Sequence, residues 1–541
     1  MGISYRLGSA PFFTLVALII LASFGLTLWG GSLGCYYFDQ SIIFDGAWRV
    51  LNGQIPFRDF VAPVGPVIFY LQALFFKLWG VTHFAYRLHA AVLSAVLTAV
   101  VMQITLWILP GRRWLCLMTG LLTTFWFYAP LGTPWYSQDS VFFGALGLAG
   151  IFYAFRNGNT FFPARCRFHW LGPFFWAGPC MVLSFLTKQN SGAMFLLMPY
   201  ILAWLPPAKT GAWRSCLDYA LGLILSIALT LGLVYTFASP NLFWNHLFAI
   251  PYGTLFERLL HKKFFSKTVL FHIAFTGIVV GWLLLRWLRR AWNPRYSPLL
   301  LPLLLFTLGF VFHLGMITTS TSDAFINIPF IGLLFALLYV LMEQILALGS
   351  KAASQRLLPW LKGLLTLMVL LFCALGFNLI HSYKLKGREP GQVLMPPIPS
   401  GPLQGLRWNN PASGPISLEN VSAALALMLQ TPEPVYIVGG FTMLYGLSGH
   451  ASVDPYLWFH EGLSFPKTYD QTMENLDQWT VRRIQTLDPK YLIANTSLMN
   501  NPEEKYRYYF AQVYDYLQNN YVFAHNRMGP ALGLYQRKPG H

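Results

Sequence analysis

PFFTLVALIILASFGLTLWGG, residues 11–31, is an apolar run without a single charge, and its length decides the class of the chain. A helix crossing the hydrocarbon core of a bilayer takes about 20 predominantly apolar residues. Arg6 precedes the run as it would in a signal peptide. No small-residue cleavage site follows, and Trp29-Gly30-Gly31 closes a full-length span, so the run reads as a retained first helix. Working outward, similar runs recur as far as Ile380. Eleven spans are expected, near 10–30, 84–109, 115–131, 139–155, 170–187, 191–206, 216–238, 268–286, 298–315, 325–346 and 361–380.

Composition agrees. Of 541 residues 55% are hydrophobic and 11% charged, where a soluble domain carries about a quarter charged residues. The deficit ends at His381, beyond which the chain reads as soluble. The expected architecture is an all-α polytopic bundle over 1–380 with a functional loop at 31–83, a Gly/Pro-rich linker at 381–415, and a small α/β extracytoplasmic domain at 416–541. In that domain Pro434–Gly439 and Lys490–Ala494 read as buried strands. Thr468–Leu487 and Pro502–Asn519 read as helices, and Tyr521–Ala524 with Ala531–Tyr535 as a closing strand pair.

The net charge of +17 does not point to nucleic acid, because the basic residues cluster in alternate short loops. Those loops hold Arg112 and Arg113; Arg156, Arg165 and Arg167; Lys209 and Arg214; Arg286, Arg289, Arg290 and Arg295; Lys351 and Arg356. By the positive-inside rule they are cytoplasmic, which puts Met1 inside and the C-terminal domain outside. None of the six cysteines lies beyond Cys373, and no Cys/His spacing suits a metal. No phosphate-loop motif and no HExxH is present; Gly144, Gly147 and Gly150 lie inside a span and read as close helix packing. No cofactor and no metal is expected.

The two long outside loops carry the chemistry. In the first, Ser41, Asp45, Arg49 and Asn52 share one helical face and Ile43, Ala47, Val50 and Leu51 fall on the other. This one-sidedness belongs to a helix lying in the membrane interface. Asp45 and Arg49 form an i,i+4 pair, on a surface worth only a few tenths of a kcal/mol. A second short helix starts at Pro66 and runs to Trp79, too short to span comfortably. Asp39 stands where the first span meets this loop. A carboxylate costs roughly 2.5–3.5 kcal/mol at the bilayer centre and less at the interface. It reads either as a helix N-cap or as a general base at the membrane surface. Asp139 offers a cap reading and a functional one. Lys188 ends the fifth span, and its ammonium either snorkels to the interface or meets an anion there. Arg58 and Asp59 are a loop ion pair or part of the site. Arg258 and His261, in the second long loop with Lys262 and Lys263, are further phosphate contacts or contacts to anionic lipid headgroups.

The order of these features carries a resemblance. The first span is followed by Tyr37-Phe38-Asp39, an amphipathic helix ending in Gly53, Pro56-Phe57-Arg58-Asp59-Phe60, Gly65-Pro66 with a short aromatic helix, and Leu78-Trp79-Gly80-Val81-Thr82-His83. This resembles the first extracytoplasmic loop of the protein O-mannosyltransferase and aminoarabinose-transferase group of C-type membrane glycosyltransferases. The motifs cover about residues 10–200; beyond that only topology is shared. The resemblance implies an enzyme of a bacterial inner membrane that moves a sugar from a polyprenyl-phosphate donor to an envelope acceptor, whether lipid, glycan or protein. It also implies that Asp39 is catalytic, that Asp139 lies in the site, and that Lys188 contacts the carrier phosphate. The chain departs from the group at Gln40, where many members have Glu, and at Gly65, where the aminoarabinose transferases have Lys. A lipid-linked sugar transporter and a non-enzymatic envelope assembly factor are the rival classes, but no interrupted spans in matching halves support the former.

The topology is checked with reporter fusions placed after Trp360 and after Pro402. The charge asymmetry predicts opposite sides of the membrane; equal signals from both would refute the eleven-span reading.

Overall fold

The computed structural model describes residues 9–34, 37–157, 172–203, 212–252, 328–349, 351–385, 397–407, 418–457, 459–460, 464–466, 470–495, 507–525 and 532–539. The expected spans at 268–286 and 298–315, together with Arg258 and His261, lie outside these described residues.

Long uncharged runs become helices. Among the described residues, four helices are long and apolar enough to cross a membrane: Ala10–Ser32, His83–Ile108, Trp213–Phe237 and Gln355–Asn378. They belong to α1 (Ser9–Ser32), α4 (His83–Ile108), α9 (Ala212–Phe237) and α12 (Lys351–Leu385). The other expected spans among the described residues fall on α5 (Arg113–Trp126), α6 (Tyr136–Asn157), α7 (Pro173–Thr187), α8 (Gln189–Ala203) and α11 (Ile328–Gly349). Leu97, Val101, Leu148, Met181, Phe195 and Leu337 form the buried centre of this bundle. Leucines of α9 and α12 such as Leu229, Leu233, Leu370 and Leu371 face outward, as a lipid-facing surface requires.

The loop after α1 folds into α2 (Tyr37–Leu51) and α3 (Val67–Trp79). Thirteen residues of α3 extend about 20 Å at 1.5 Å per residue, too short for a hydrocarbon core of about 30 Å. Tyr70, Leu74 and Leu78 form an exposed apolar stripe along it, the profile of a helix lying in the interface. Thr82 caps α4, its hydroxyl accepting the Ala85 N–H at 3.1 Å.

The C-terminal region is α/β. Among its described residues four strands, β1 (Val435–Val438), β2 (Tyr491–Asn495), β3 (Tyr521–His525) and β4 (Leu532–Arg537), lie in the order β1-β2-β4-β3. β1 and β2 are parallel with Val435 opposite Tyr491, and β4 runs antiparallel to β2 and β3. The sheet is accompanied by α13 (Leu418–Gln430), α14 (Met443–Ser448), α15 (Gln471–Leu487) and α16 (Ala511–Asn520). α13 and α14 are short helices that the sequence pattern did not announce.

This region is not a separate body beside the bundle. Ile42, Phe44 and Phe69 of the first loop share one apolar core with Tyr436, Tyr445, Leu457 and Phe510. The polar face of α2 is sealed in the same way, and this alters the expected interfacial helix. Ser41 accepts the Met443 N–H at 3.1 Å, and Asp45 accepts the Ser452 hydroxyl at 2.5 Å. Arg49 donates to the Asp454 carbonyl and pairs with Asp45 at 2.9 Å, both side chains fully buried. Trp48 donates to the His450 carbonyl at 2.8 Å, and Arg483 to the Asp59 carbonyl at 2.7 Å. The Asp45–Arg49 pair is therefore not the weak surface pair that its spacing suggested. Removing one partner of a buried pair costs about 3–5 kcal/mol, where an exposed helical pair contributes about 0.3–0.5 kcal/mol.

Burial pushes the Asp454 carboxyl up to about 7, against the Tyr436 hydroxyl, Arg49 and Arg483, which pull it down, and with Asp45, which adds to the rise. Its ordinary value is 3.8, so between about 4 and 7 the folded protein holds a proton that the unfolded chain has released. This group's contribution to stability therefore falls as pH rises across that window. His246, pushed down to about 4 chiefly by burial, acts in the opposite sense below its ordinary 6.5. The comparison that isolates Asp454 is wild type against Asp454→Asn, by thermal unfolding in detergent from pH 4.5 to 7.5. The variant should lose less stability over that range than wild type; parallel curves would contradict the assignment.

Candidate active site

Asp39 lies in the first turn of α2, which begins at Tyr37 rather than at Ser41, so it is inside the helix and not its cap. A carboxylate there is favoured by the helix dipole, and the side chain is half-buried. Its neighbour Gln40 is fully engaged. The Gln40 side-chain amide donates to the Thr133 hydroxyl at 3.1 Å, and the Gln40 backbone carbonyl accepts the Tyr86 hydroxyl at 3.3 Å. Gln40, the departure from the family's Glu, thus anchors the first turn of α2 to α4 and to the turn before α6.

That turn is held from the other side by Lys188. Lys188 follows α7 directly, and its ammonium donates to the Ser137 hydroxyl at 2.6 Å while lying 4.5 Å from the centre of the Tyr136 ring. Thr133 and Ser137 are four residues apart, at most about 14 Å even if fully extended. One short segment therefore fixes both the neighbour of Asp39 and the Lys188 ammonium.

Gly65 explains the second departure. A Cβ at this position would overlap the carbonyl oxygen of Leu186, two residues before Lys188. The first loop rests its backbone on the end of α7, and no lysine side chain fits where the aminoarabinose transferases carry one. The ends of α1 and the Tyr128–Gly132 turn meet in the same manner. A Cβ on Gly31 would overlap the Gly132 carbonyl, and Gly132 itself has a φ of 68°.

Asp139 also lies within its helix rather than capping it, in the first turn of α6. It is fully buried. One oxygen accepts the Tyr128 hydroxyl; the other lies 3.2 Å from His89 Nε2, close enough for an ion pair but off-line for a hydrogen bond. His89 Nδ1 lies 2.8 Å from the Gln72 carbonyl oxygen. Neither His89 nor Gln72 was singled out from sequence. The signal was there, since polar residues inside an apolar span mark function or pairing.

Arg58 and Asp59 pair at 2.7 Å at the surface, and Asp59 also accepts the Ile55 N–H at 2.7 Å. Burial raises the Asp59 carboxyl, but the bonds from Arg58 and Ile55 outweigh it and hold it below its ordinary value. Between them, Phe57 adopts a φ of 61°, a costly conformation for a bulky residue. Its carbonyl accepts the Ser239 N–H at 2.9 Å and its ring meets Phe243 edge-on at 5.4 Å. This joins the first outside loop to α10 (Pro240–Trp244) of the second. His246, just beyond, is buried and hydrogen-bonded to the Ser464 backbone.

No family model and no curated protein matches the chain. Solved structures do. ArnT, an aminoarabinose transferase from Cupriavidus metallidurans, bound to undecaprenyl phosphate, superposes with a TM-score of 0.52 at 12% identity, over 98% of this chain and 99% of that one. Apo ArnT gives 0.47 at 14% identity, over 97% of this chain and 98% of that one. The archaeal oligosaccharyltransferase AglB from Archaeoglobus fulgidus gives 0.46 at 11% identity, over 98% of this chain and 74% of that one. The likeness to the first is at the level of fold, and it spans both chains nearly end to end. What the likeness shows is the fold, shared with ArnT.

Gly65→Ala tests the close approach. Overpacking of this kind costs about 1–3 kcal/mol, so the purified variant should unfold at lower temperature than wild type. Unchanged thermal stability would show that the loop does not rest on α7.

Proposed function

We propose that the chain is an integral membrane glycosyltransferase that moves a sugar from a polyprenyl-phosphate donor to an envelope acceptor on the outer face of the membrane. The observation that carries this reading is the common tether of the two chemical groups. The half-buried carboxylate Asp39, through its neighbour Gln40, and the Lys188 ammonium, directly, are both referred to the segment Thr133–Ser137. The reaction needs one group to take a proton and another to receive a departing phosphate, on opposite sides of an anomeric carbon. The fold shared with ArnT, a transferase solved with undecaprenyl phosphate bound, supports the donor class.

In this mechanism Asp39 accepts the proton of an acceptor hydroxyl, and the oxygen attacks the anomeric carbon. The bond from that carbon to the phosphate oxygen breaks, its electron pair leaving with the carrier phosphate. In-line attack inverts the anomeric configuration. Lys188 stabilises the charge that builds on the leaving oxygen. Arg58 and Asp59 belong to the wall of the site, with Arg258 and His261 of the second loop as further phosphate contacts. Asp139 serves from beneath, as a buried support to the first turn of α6. The positive-inside pattern places Met1 in the cytoplasm and the C-terminal domain with the site outside. The extracytoplasmic location makes a lipid-borne activated sugar the fitting donor.

Asp39→Asn keeps shape and helix but cannot accept a proton. General-base catalysis is worth about 10²–10⁴ in rate, so sugar transfer from a radiolabelled polyprenyl-phosphate donor should fall by at least the lower figure. Binding of undecaprenyl phosphate should persist. A variant retaining more than about a tenth of wild-type turnover, well above what loss of a general base leaves, would remove Asp39 from the role.

A further inference from the structure

His89 sits inside α4 with no exposure to solvent, and both ring nitrogens face side chains of other helices. Gln72 of α3 turns its amide carbonyl to Nδ1 at 2.8 Å, so that nitrogen carries the proton. Nε2 faces Asp139 of α6 at 3.2 Å, and the ring stacks on Phe75 of α3 at 4.9 Å. His89 thus bridges the interfacial helix to a buried carboxylate, whose second oxygen has no hydrogen-bond donor among the described residues.

The first turn of α6 faces two ways. Asp139 points inward to His89, while Ser137 and Tyr136 hold the Lys188 ammonium. Reciprocal bonds between Ser140 and Ser184, at 2.9 and 2.7 Å, fix the spacing of α6 and α7. Asp139 adds an attachment on another face of that turn, to Tyr128 and toward His89.

We propose that His89 is a positioning residue for the phosphate end of the donor site: by bridging Gln72 and Asp139 it sets the first turn of α6, and with it Lys188. This rests on the reading of Lys188 as a phosphate contact.

Two variants separate the nitrogens. His89→Asn places an amide where Nδ1 stood and keeps the bond to Gln72, but withdraws from Asp139. His89→Gln reaches to the place of Nε2 and keeps a donor toward Asp139. The measurement is equilibrium binding of undecaprenyl phosphate to the purified full-length protein in detergent. His89→Asn should bind about tenfold more weakly, a difference of about 1.4 kcal/mol, as should Lys188→Ala, while His89→Gln stays near wild type. The double variant His89→Asn with Lys188→Ala should bind no more weakly than Lys188→Ala alone, since both act on one contact. Wild-type binding by His89→Asn, or losses that multiply in the double variant, would overturn the proposal while leaving Lys188 as a phosphate contact. Wild-type binding by Lys188→Ala would instead overturn the reading on which it rests. Should His89→Asn fail to fold, Asp139→Asn, which removes the buried charge and keeps the shape, must show the same loss without multiplication; wild-type binding there overturns the proposal equally.

Discussion

Arg49 has no access to water, and its charge is satisfied only because Asp45, one turn away, and the Asp454 backbone, 405 positions on in the sequence, meet around it. A guanidinium in that position cannot be left half-paired. Its burial goes with the seating of α14 and the segment Ser452–Tyr456 on one helix of the first loop. Everything described above depends on that seating. α2 carries Asp39 at its start, Gln40 ties the same turn to Thr133, and the apolar residues between them close a core shared with the C-terminal sheet.

Two kinds of constraint then meet at the site. From above, the C-terminal domain holds α2 through polar bonds at successive turns, Ser41, Asp45 and Arg49. From below, the bundle holds the turn before α6 and the end of α7 through Gln40, Ser137, Ser140 and Ser184. The backbone contact of Gly65 with Leu186 closes the ring, with the loop lying directly on the helix that ends at Lys188. Rigid support of this kind suits a reaction whose demands are mostly alignment and charge placement.

What the sequence disclosed follows from the physics of each feature. Apolar runs such as 11–31 and the strands at 435–438 and 491–495 are visible because burial on all sides leaves a composition that nothing else produces. Asp39, Asp139 and Lys188 stand out as candidates because charged groups at span ends are costly. The remainder depends on partners distant in sequence. The Ser41–Asp45–Arg49 face has the periodicity of a surface helix, and only the fold shows that a domain covers it. Gln72 and His89 are 17 positions apart and on different helices, so no local pattern joins them to Asp139. Gly65 showed as a missing lysine; its reason, a carbonyl of α7 in the way, is a matter of geometry alone.

The buried face of α2 also bears on how the protein is made. At synthesis rates of about 5–20 residues per second, the 405 positions between Arg49 and Asp454 take roughly 20–80 s to emerge. Throughout that interval Asp45 and Arg49 have only each other and water. The nascent chain therefore passes through a long stage in which the helical bundle is being built but the segment bearing Asp39 is unclamped, and emergence of the Asp454 segment is itself the event that seats α2.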